Sequence, residues 1–255
     1  MIMMAMLVGI VMCSCTGEKQ KEASAKVNLR VGIEELQKQL PISAGAMMEV
    51  TDAQYENDEV CITYSLSESL YNGLKKAKDD PDMLKRSWCA NLAIMDAKQK
   101  QVFGLIAEAK ADFVAVFAGE NGGEEFSFKM TGEELAEALN REGDPKELAR
   151  EYMQSQCDLL NMQVPQTADE ATTLVKVEMT DAEFRYIYEI DENVADMALL
   201  ESNLDMIKTN ISMLISSSPE MKLFMGNARK AGLDVIYDYR GNLTGKTVVL
   251  NVSQL

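Results

Sequence analysis

Glu49-Val50-Thr51-Asp52-Ala53-Gln54-Tyr55, or EVTDAQY, returns at residues 178–184 as EMTDAEF. Glu, Thr, Asp and Ala are identical between the two, and Tyr exchanges with Phe. The flanks agree as well. Upstream, Leu40-Pro41-Ile42-Ser43 answers to Val164-Pro165-Gln166-Thr167; downstream, Tyr64-Ser65-Leu66-Ser67-Glu68 answers to Tyr188-Glu189-Ile190-Asp191-Glu192. Aligning the phrase and its flanks together makes the tip of the second hairpin about five residues shorter than the first. A later stretch matches without a gap at a spacing of 122 residues, from Asp96 and Ser218 through Asp112 and Asp234 to Met130 and Val252. The chain therefore reads as one unit used twice.

Hydrophobic periodicity gives the content of each unit. Leu29, Ile33, Leu36 and Leu40 recur at three- and four-residue steps, predicting a helix over residues 28–40 that Pro41 stops. Asp144-Pro145-Lys146-Glu147 opens its counterpart, with an N-cap Asp and Pro at the first helical position. Residues 47–54 and 60–66 form a first hairpin around Glu56-Asn57-Asp58-Glu59, and residues 173–180 and 183–190 its partner. Thr51-Asp52-Ala53 and Thr180-Asp181-Ala182 then stand at matching corners between paired strands. Helices follow, with Leu84, Trp88, Leu92 and Met95 on one stripe and Leu204, Ile207, Ile211 and Leu214 on the other; Asp96 caps the next. Alternating Phe113, Ala115 and Phe117 across a Gly-bearing loop from Phe126, Phe128 and Met130 predict a second hairpin, mirrored by Val235, Tyr237, Tyr239 and Val248, Leu250, Val252. Thr131-Gly132-Glu133-Glu134 opens an extra capped helix to about Asn140. The expected fold is α+β: two tandem similar units, each helix, β-hairpin, helices, β-hairpin, with an antiparallel sheet covered by helices. The units are set at residues 27–142 and 143–255, as separate domains or merged into one eight-stranded sheet.

The first residues carry an address. Residues 1–12 are apolar apart from Gly9 and end in Met12-Cys13-Ser14-Cys15-Thr16-Gly17. Twelve residues span roughly 18 Å as a helix, short of a bilayer core of about 30 Å, and fit the h-region of an export signal. The end of the run resembles a bacterial lipobox, in which a small residue precedes a Cys that is lipidated and becomes the mature N-terminus. Cys15 after Ser14 fits that motif, whereas Cys13 follows the bulky Met12. The resemblance covers only these residues, with Met12 where Leu is usual and no Lys or Arg before the run. It implies a signal peptide over residues 1–14, lipidation at Cys15 and a lipid-anchored flexible spacer over residues 15–26. The location implied is the cell envelope, with the membrane as one partner through the anchor, at the outer membrane on its periplasmic or surface face.

Composition narrows the chemistry. Of 255 residues, 41 are acidic and 25 basic, a formal charge of −16 that repels phosphate backbones; nucleic acid is excluded as a partner. With no histidine in the chain, His-based triads, His metal ligands and imidazole acid–base catalysis are excluded too. Cys61, Cys89 and Cys157 remain after the signal; a bridge between Cys61 and Cys89 is conceivable, and buried inert thiols are the simpler reading. The acidic runs at residues 56–59, 79–82 and 189–192 lack the spacing of a calcium loop and read as solvated turns and caps. Glu68 and Glu192 sit at matching positions after a strand, a conceivable carboxylate pair for glycan hydrolysis or simply acids at helix starts. Tyr186, Tyr188, Tyr237 and Tyr239 are the candidate binding residues, for a protein or glycan ligand, although core packing also explains them. No cofactor is expected. The function expected is a non-catalytic binding or scaffolding module on a lipid anchor; the alternatives are a carboxylate-dependent glycan hydrolase and an inhibitor of another envelope protein.

Overall fold

The computed structural model describes residues 17–44, 47–95 and 97–253. The signal peptide, Cys15 and the cap at Asp96 lie outside the described residues. The chain divides into two compact units, one running through Glu142 and the other starting at Gly143.

Unit 1 begins with α1 (Glu18–Gln37). Its first turns hold Glu, Lys, Gln and Ala, good helix formers, so the expected flexible spacer is helical from Glu18 onward. Ala25, Leu29, Ile33 and Leu36 form its buried stripe. Lys26 secures the early turns, pairing with Glu22 at 3.3 Å and with Asp58 at 2.8 Å. β1 (Ile42–Ser43), β2 (Met48–Glu56) and β3 (Glu59–Leu66) follow. The tip between β2 and β3 is two residues, Asn57 and Asp58, both at positive φ. Asn and Asp tolerate that region best among residues with a side chain, and the pair twists the hairpin correctly. After β3 come α2 (Glu68–Leu74), a 3-10 turn (Lys75–Asp79), α3 (Pro81–Ile94) and α4 (Ala97–Glu108), then β4 (Asp112–Gly119), β5 (Phe126–Met130) and α5 (Gly132–Leu139). α5 starts with a complete capping box between Thr131 and Glu134.

Unit 2 repeats the order: α6 (Pro145–Gln163), β6 (Gln166–Thr167), β7 (Thr172–Met179), β8 (Glu183–Ile190), α7 (Met197–Ser202), α8 (Leu204–Ser217), α9 (Pro219–Ala231), β9 (Asp234–Gly241) and β10 (Thr247–Asn251). Each unit has its own five-stranded sheet, ordered β1-β2-β3-β4-β5 and β10-β9-β8-β7-β6. The α+β class and the tandem similar units hold; the two sheets do not merge.

One seam of each sheet departs from the antiparallel expectation. β3 and β4 run parallel, Glu59 beside Asp112 to Leu66 beside Gly119, and β8 and β9 do the same from Glu183 beside Asp234. The helices between them carry the chain back to the end where β3 began, and such a crossover is what parallel pairing requires. Two local hairpins were legible; the seam joining them lay across the helices.

The register also corrects the repeated phrase. Val50 pairs with Ile42 and Tyr64, and Leu174 pairs with Gln166 and Tyr188. The register shift after Val50 in β2 recurs after Leu174 in β7. Residues 49–55 therefore correspond to residues 173–179, not to residues 178–184. The first EVTDAQY lies wholly within β2, with Thr51 at the bulge. The second copy of the phrase ends β7, turns at Thr180-Asp181-Ala182 and enters β8. No five residues are lost from the tip. What the units share is the period-two burial on either side of the bulge: Val50 and Ala53 are buried, as are Leu174 and Val177. Ala25, Leu29 and Ile33 of α1 extend the same spacing to Ala149, Met153 and Cys157 of α6, all buried.

The cores sit between one sheet face and the helices. In unit 1, Val60, Ile62, Tyr64 and Leu66 alternate inward with Phe113, Ala115 and Phe117. Trp88 closes the cluster, 5.5 Å from both Phe113 and Phe128 and 6.0 Å from Phe103.

Candidate functional site

The tyrosines come together because β8 and β9 are parallel and in step, with Tyr186 beside Tyr237 and Tyr188 beside Tyr239. Alternation then puts all four on one face. Ring centroids lie 5.2 Å apart for Tyr186–Tyr237, 5.8 Å for Tyr188–Tyr237 and 5.2 Å for Tyr188–Tyr239. This face looks toward the helices. Tyr186 touches Phe224 of α9, and Tyr188, Tyr237 and Tyr239 pack with Met197, Leu200 and Leu204 of α7 and α8. Burial pushes the Tyr239 hydroxyl up to about 12 and those of Tyr186, Tyr188 and Tyr237 upward as well. All four are neutral phenols at physiological pH, in a core ladder where unit 1 holds Ile62, Tyr64, Ala115 and Phe117.

The opposite face of the same strands carries a charge network that sequence reasoning missed. Asp238 is 2 % exposed, and its Oδ2 accepts from Arg185 Nη1 at 3.0 Å and Arg240 Nη2 at 2.8 Å. Arg185 also donates to Glu183 Oε2 from Nη2 at 2.6 Å and from Nε at 3.2 Å. Asp238 Oδ1 is buried with no hydrogen-bond partner. Burial alone would push the Asp238 carboxyl up; the guanidiniums of Arg240 and Arg185 outweigh it and hold the group below its ordinary range. The available signal was a pair of arginines and an aspartate at alternating strand positions, where unit 1 has Cys61, Val116 and Ala118.

The remaining candidates are held in structural roles. Cys61, Cys89 and Cys157 are free. Cys61 faces away from the helices on β3, whereas Cys89 belongs to α3, so they do not bridge. Burial raises all three thiols, Cys157 to about 11, and its Sγ–H points to the Val177 carbonyl at 3.5 Å. Glu192 clamps the β9–β10 loop: its carboxylate accepts from Leu243 N at 2.7 Å, Thr244 N at 2.6 Å and Thr244 Oγ1 at 2.7 Å. Its own N–H donates to Asn242 Oδ1, matching Glu68 N–H to Glu120 Oε1 in unit 1. Thr180 Oγ1 accepts from Ala182 N and Glu183 N and so builds the hairpin tip. In the acidic runs, Asp80 caps α3, Asp58 pairs with Lys26 and Asp191 accepts from Asn193 N. Among the described residues no three Cys, Asp or Glu side chains gather as a metal site.

Gly241 makes the Glu192 clamp possible. A Cβ there would lie 2.5 Å from the Glu192 carboxylate carbon. Gly241→Ala is expected to expel Glu192 from the loop and to cost about 1–2 kcal/mol, read as a lower urea midpoint by circular dichroism.

One cleft of about 370 Å³ opens in unit 2, at the junction of the β7–β8 tip, the C-terminal end of α9 and the start of β9. Met225, Ala228, Leu233 and Val235 line it together with Arg229, Asp234 and Ser253. That volume is at the small end for a ligand site, and the lining mixes polar and apolar side chains.

No protein-family model matches the chain, and no curated protein sequence matches it. Among solved structures, the chain is similar to a candidate secreted protein from Pseudomonas aeruginosa, with 9% identity and a TM-score of 0.36. That likeness covers 44% of this chain and 94% of the other. A likeness so slight does not bear on fold or function.

Proposed function

We propose that this protein is an envelope lipoprotein, anchored through Cys15, whose two units form a non-catalytic binding or scaffolding module. The observation that carries the binding half is the state of the reactive groups. The Cys61, Cys89 and Cys157 thiols are raised by burial, and the Glu192 carboxylate is spent on the β9–β10 loop. A hydrolase built on carboxylates needs a pair facing each other across a cleft, one of them free to hold a proton. Glu192, ordered by three donors and lowered by them, favours its ionised form instead.

The anchor half rests on the lipobox-like residues together with the start of α1. Helix begins at Glu18, three positions after Cys15, so acyl chains on Cys15 would hold unit 1 close to the bilayer rather than on a long tether. No described helix is long and apolar enough to cross a membrane. Each acyl CH₂ contributes about 0.8 kcal/mol on insertion, and two or more chains give stable attachment. Cys15→Ser is expected to move the protein from the membrane pellet to the soluble fraction. A variant that stays in the pellet after a high-salt wash contradicts the anchor. Retained binding of an envelope partner, with no release of sugars from cell-wall glycan, is the result expected for the module.

A further inference from the structure

The edges of β2 and β7 are long, and the strands that border them are short. β1 pairs with β2 only at Glu49 and Val50, and β6 pairs with β7 only at Thr173 and Leu174. Past the bulge, β2 runs on to Glu56 and β7 to Met179; among the described residues each has a strand neighbour there on one side alone. A row of outward N–H and C=O groups on such an edge is a template for another strand.

In both units the last turn of the first helix reaches over that edge at the same residue. Gln37 Nε2 of α1 donates to the Ala53 carbonyl at 2.7 Å, and Asn161 Nδ2 of α6 donates to the Val177 carbonyl at 2.7 Å. The spacing that aligns Val50 with Leu174 also aligns Gln37 with Asn161 and Ala53 with Val177. The N–H at each site is covered as well. Val177 N donates to Asn161 Oδ1 at 2.9 Å, whereas Ala53 N donates to Asp52 Oδ1 at 2.9 Å. Asn161 thus exchanges with Val177 the two bonds that a residue of an adjoining strand would exchange. Unit 1 divides that task between Gln37 and Asp52. The side chains differ between the units, and the backbone target does not.

The edges so covered would fit a second copy of themselves. Antiparallel pairing about a two-fold axis at Val177 sets Lys176 opposite Glu178 of the second copy, and Glu178 opposite its Lys176. Alternation puts both on one face, and within β7 they already pair at 2.6 Å. About Ala53 the same operation sets Asp52 opposite Gln54, which hydrogen-bond within β2 at 2.7 Å. Two strands of unlike sequence are each complementary to their own reverse. In each, the residue on the axis is the one that is covered.

We propose that the edge of β7 is an interface between copies of this chain, held shut by the Asn161 amide. While the amide is in place, Val177 has no free donor or acceptor for a strand laid beside it. With the amide gone, Val177 N–H and C=O meet the same groups of a second copy, and the flanking Lys176–Glu178 pairs fix the register. Gln37 and Asp52 shut β2 in the same way.

The test is sedimentation velocity of the full-length Cys15→Ser chain, with and without Asn161→Ala, at graded concentrations in one detergent. Ala suits the helix, and circular dichroism checks that the fold is kept. The variant is expected to associate about tenfold more tightly than its parent and, with β2 still covered, to stop at a dimer. Adding Lys176→Glu puts like charges opposite one another at both ends of the pair and should weaken that dimer about tenfold. Adding Glu178→Lys as well restores the attraction and the dimer. Asn161→Gln, the side chain unit 1 uses, frees only the Val177 N–H; it should dimerise more than the parent and less than Asn161→Ala, and it serves where the Ala variant does not fold. Lost stability without association up to about 100 μM would mean that Asn161 only fastens α6 to β7, and overturns the proposal. Association that ignores the charges at residues 176 and 178 marks the sticking of a loosened chain and overturns it too.

Discussion

Phe113→Ala is expected to destabilise unit 1 by about 3–5 kcal/mol, the cost of emptying an aromatic from a packed core. Phe113 is fully buried at the start of β4, stacked on Trp88 at 5.5 Å and edge-on to Phe103 at 5.5 Å. Its removal strips one wall from Trp88, whose strand neighbours Phe128 and Tyr64 cannot close the gap without leaving their strands. Because Trp88 is the single tryptophan in the chain, indole fluorescence against urea reports this cluster and nothing in unit 2. A midpoint unchanged in fluorescence would mean that the cluster does not hold unit 1 together.

Arg185→Ala is the second large effect, about 2–3 kcal/mol, seen in near-ultraviolet circular dichroism of the unit 2 tyrosines. Truncating one partner leaves the buried Asp238 carboxylate short of a donor, and such losses cost 3–5 kcal/mol when no second partner remains. Arg240, half-exposed on the same oxygen, tempers the loss. Unit 1 indicates the repair, since Cys61 and Val116 stand where unit 2 has Arg185 and Asp238. Asp238→Val with Arg185→Leu is therefore expected to recover most of the stability. The acid limb follows from the same group. A carboxylate held below its usual range stabilises the fold above its unfolded pKa, near 3.8, and this is lost as pH falls through the lower folded value. Asp238→Val should flatten the stability of unit 2 in that window.

How far the sequence discloses this protein depends on the element. The starts of α5 and α6 were plain, because Asp144, Pro145 and the Thr131–Glu134 box are local chemistry that tertiary packing leaves alone. The flanks LPIS with VPQT, and YSLSE with YEIDE, marked the repeat correctly at a constant spacing. The identical-looking EVTDAQY and EMTDAEF did not. What a strand must keep is which residues face inward, and TLVKVEM keeps that for β7 with almost none of the letters. Residues 18–26 read as a linker because Glu, Lys and Gln suit an exposed helix as well as a flexible chain; Ala25 alone enters the core there. The tyrosines were visible as a cluster, but which sheet face they occupied was not, since strand alternation fixes only that they share one. Asp238 escaped notice because its partners stand one strand away or two positions on.

That register is the claim on which the rest stands, and amide hydrogen exchange of the full chain tests it most directly. The account predicts slower exchange over residues 49–55, which lie inside β2, paired with β3 on either side of Thr51 and with β1 at Glu49 and Val50, and fast exchange at Asp181 and Ala182, which form the exposed tip of the second hairpin. Matching protection at Thr51-Asp52-Ala53 and Thr180-Asp181-Ala182 would put the two phrases at the same place in their folds and contradict it.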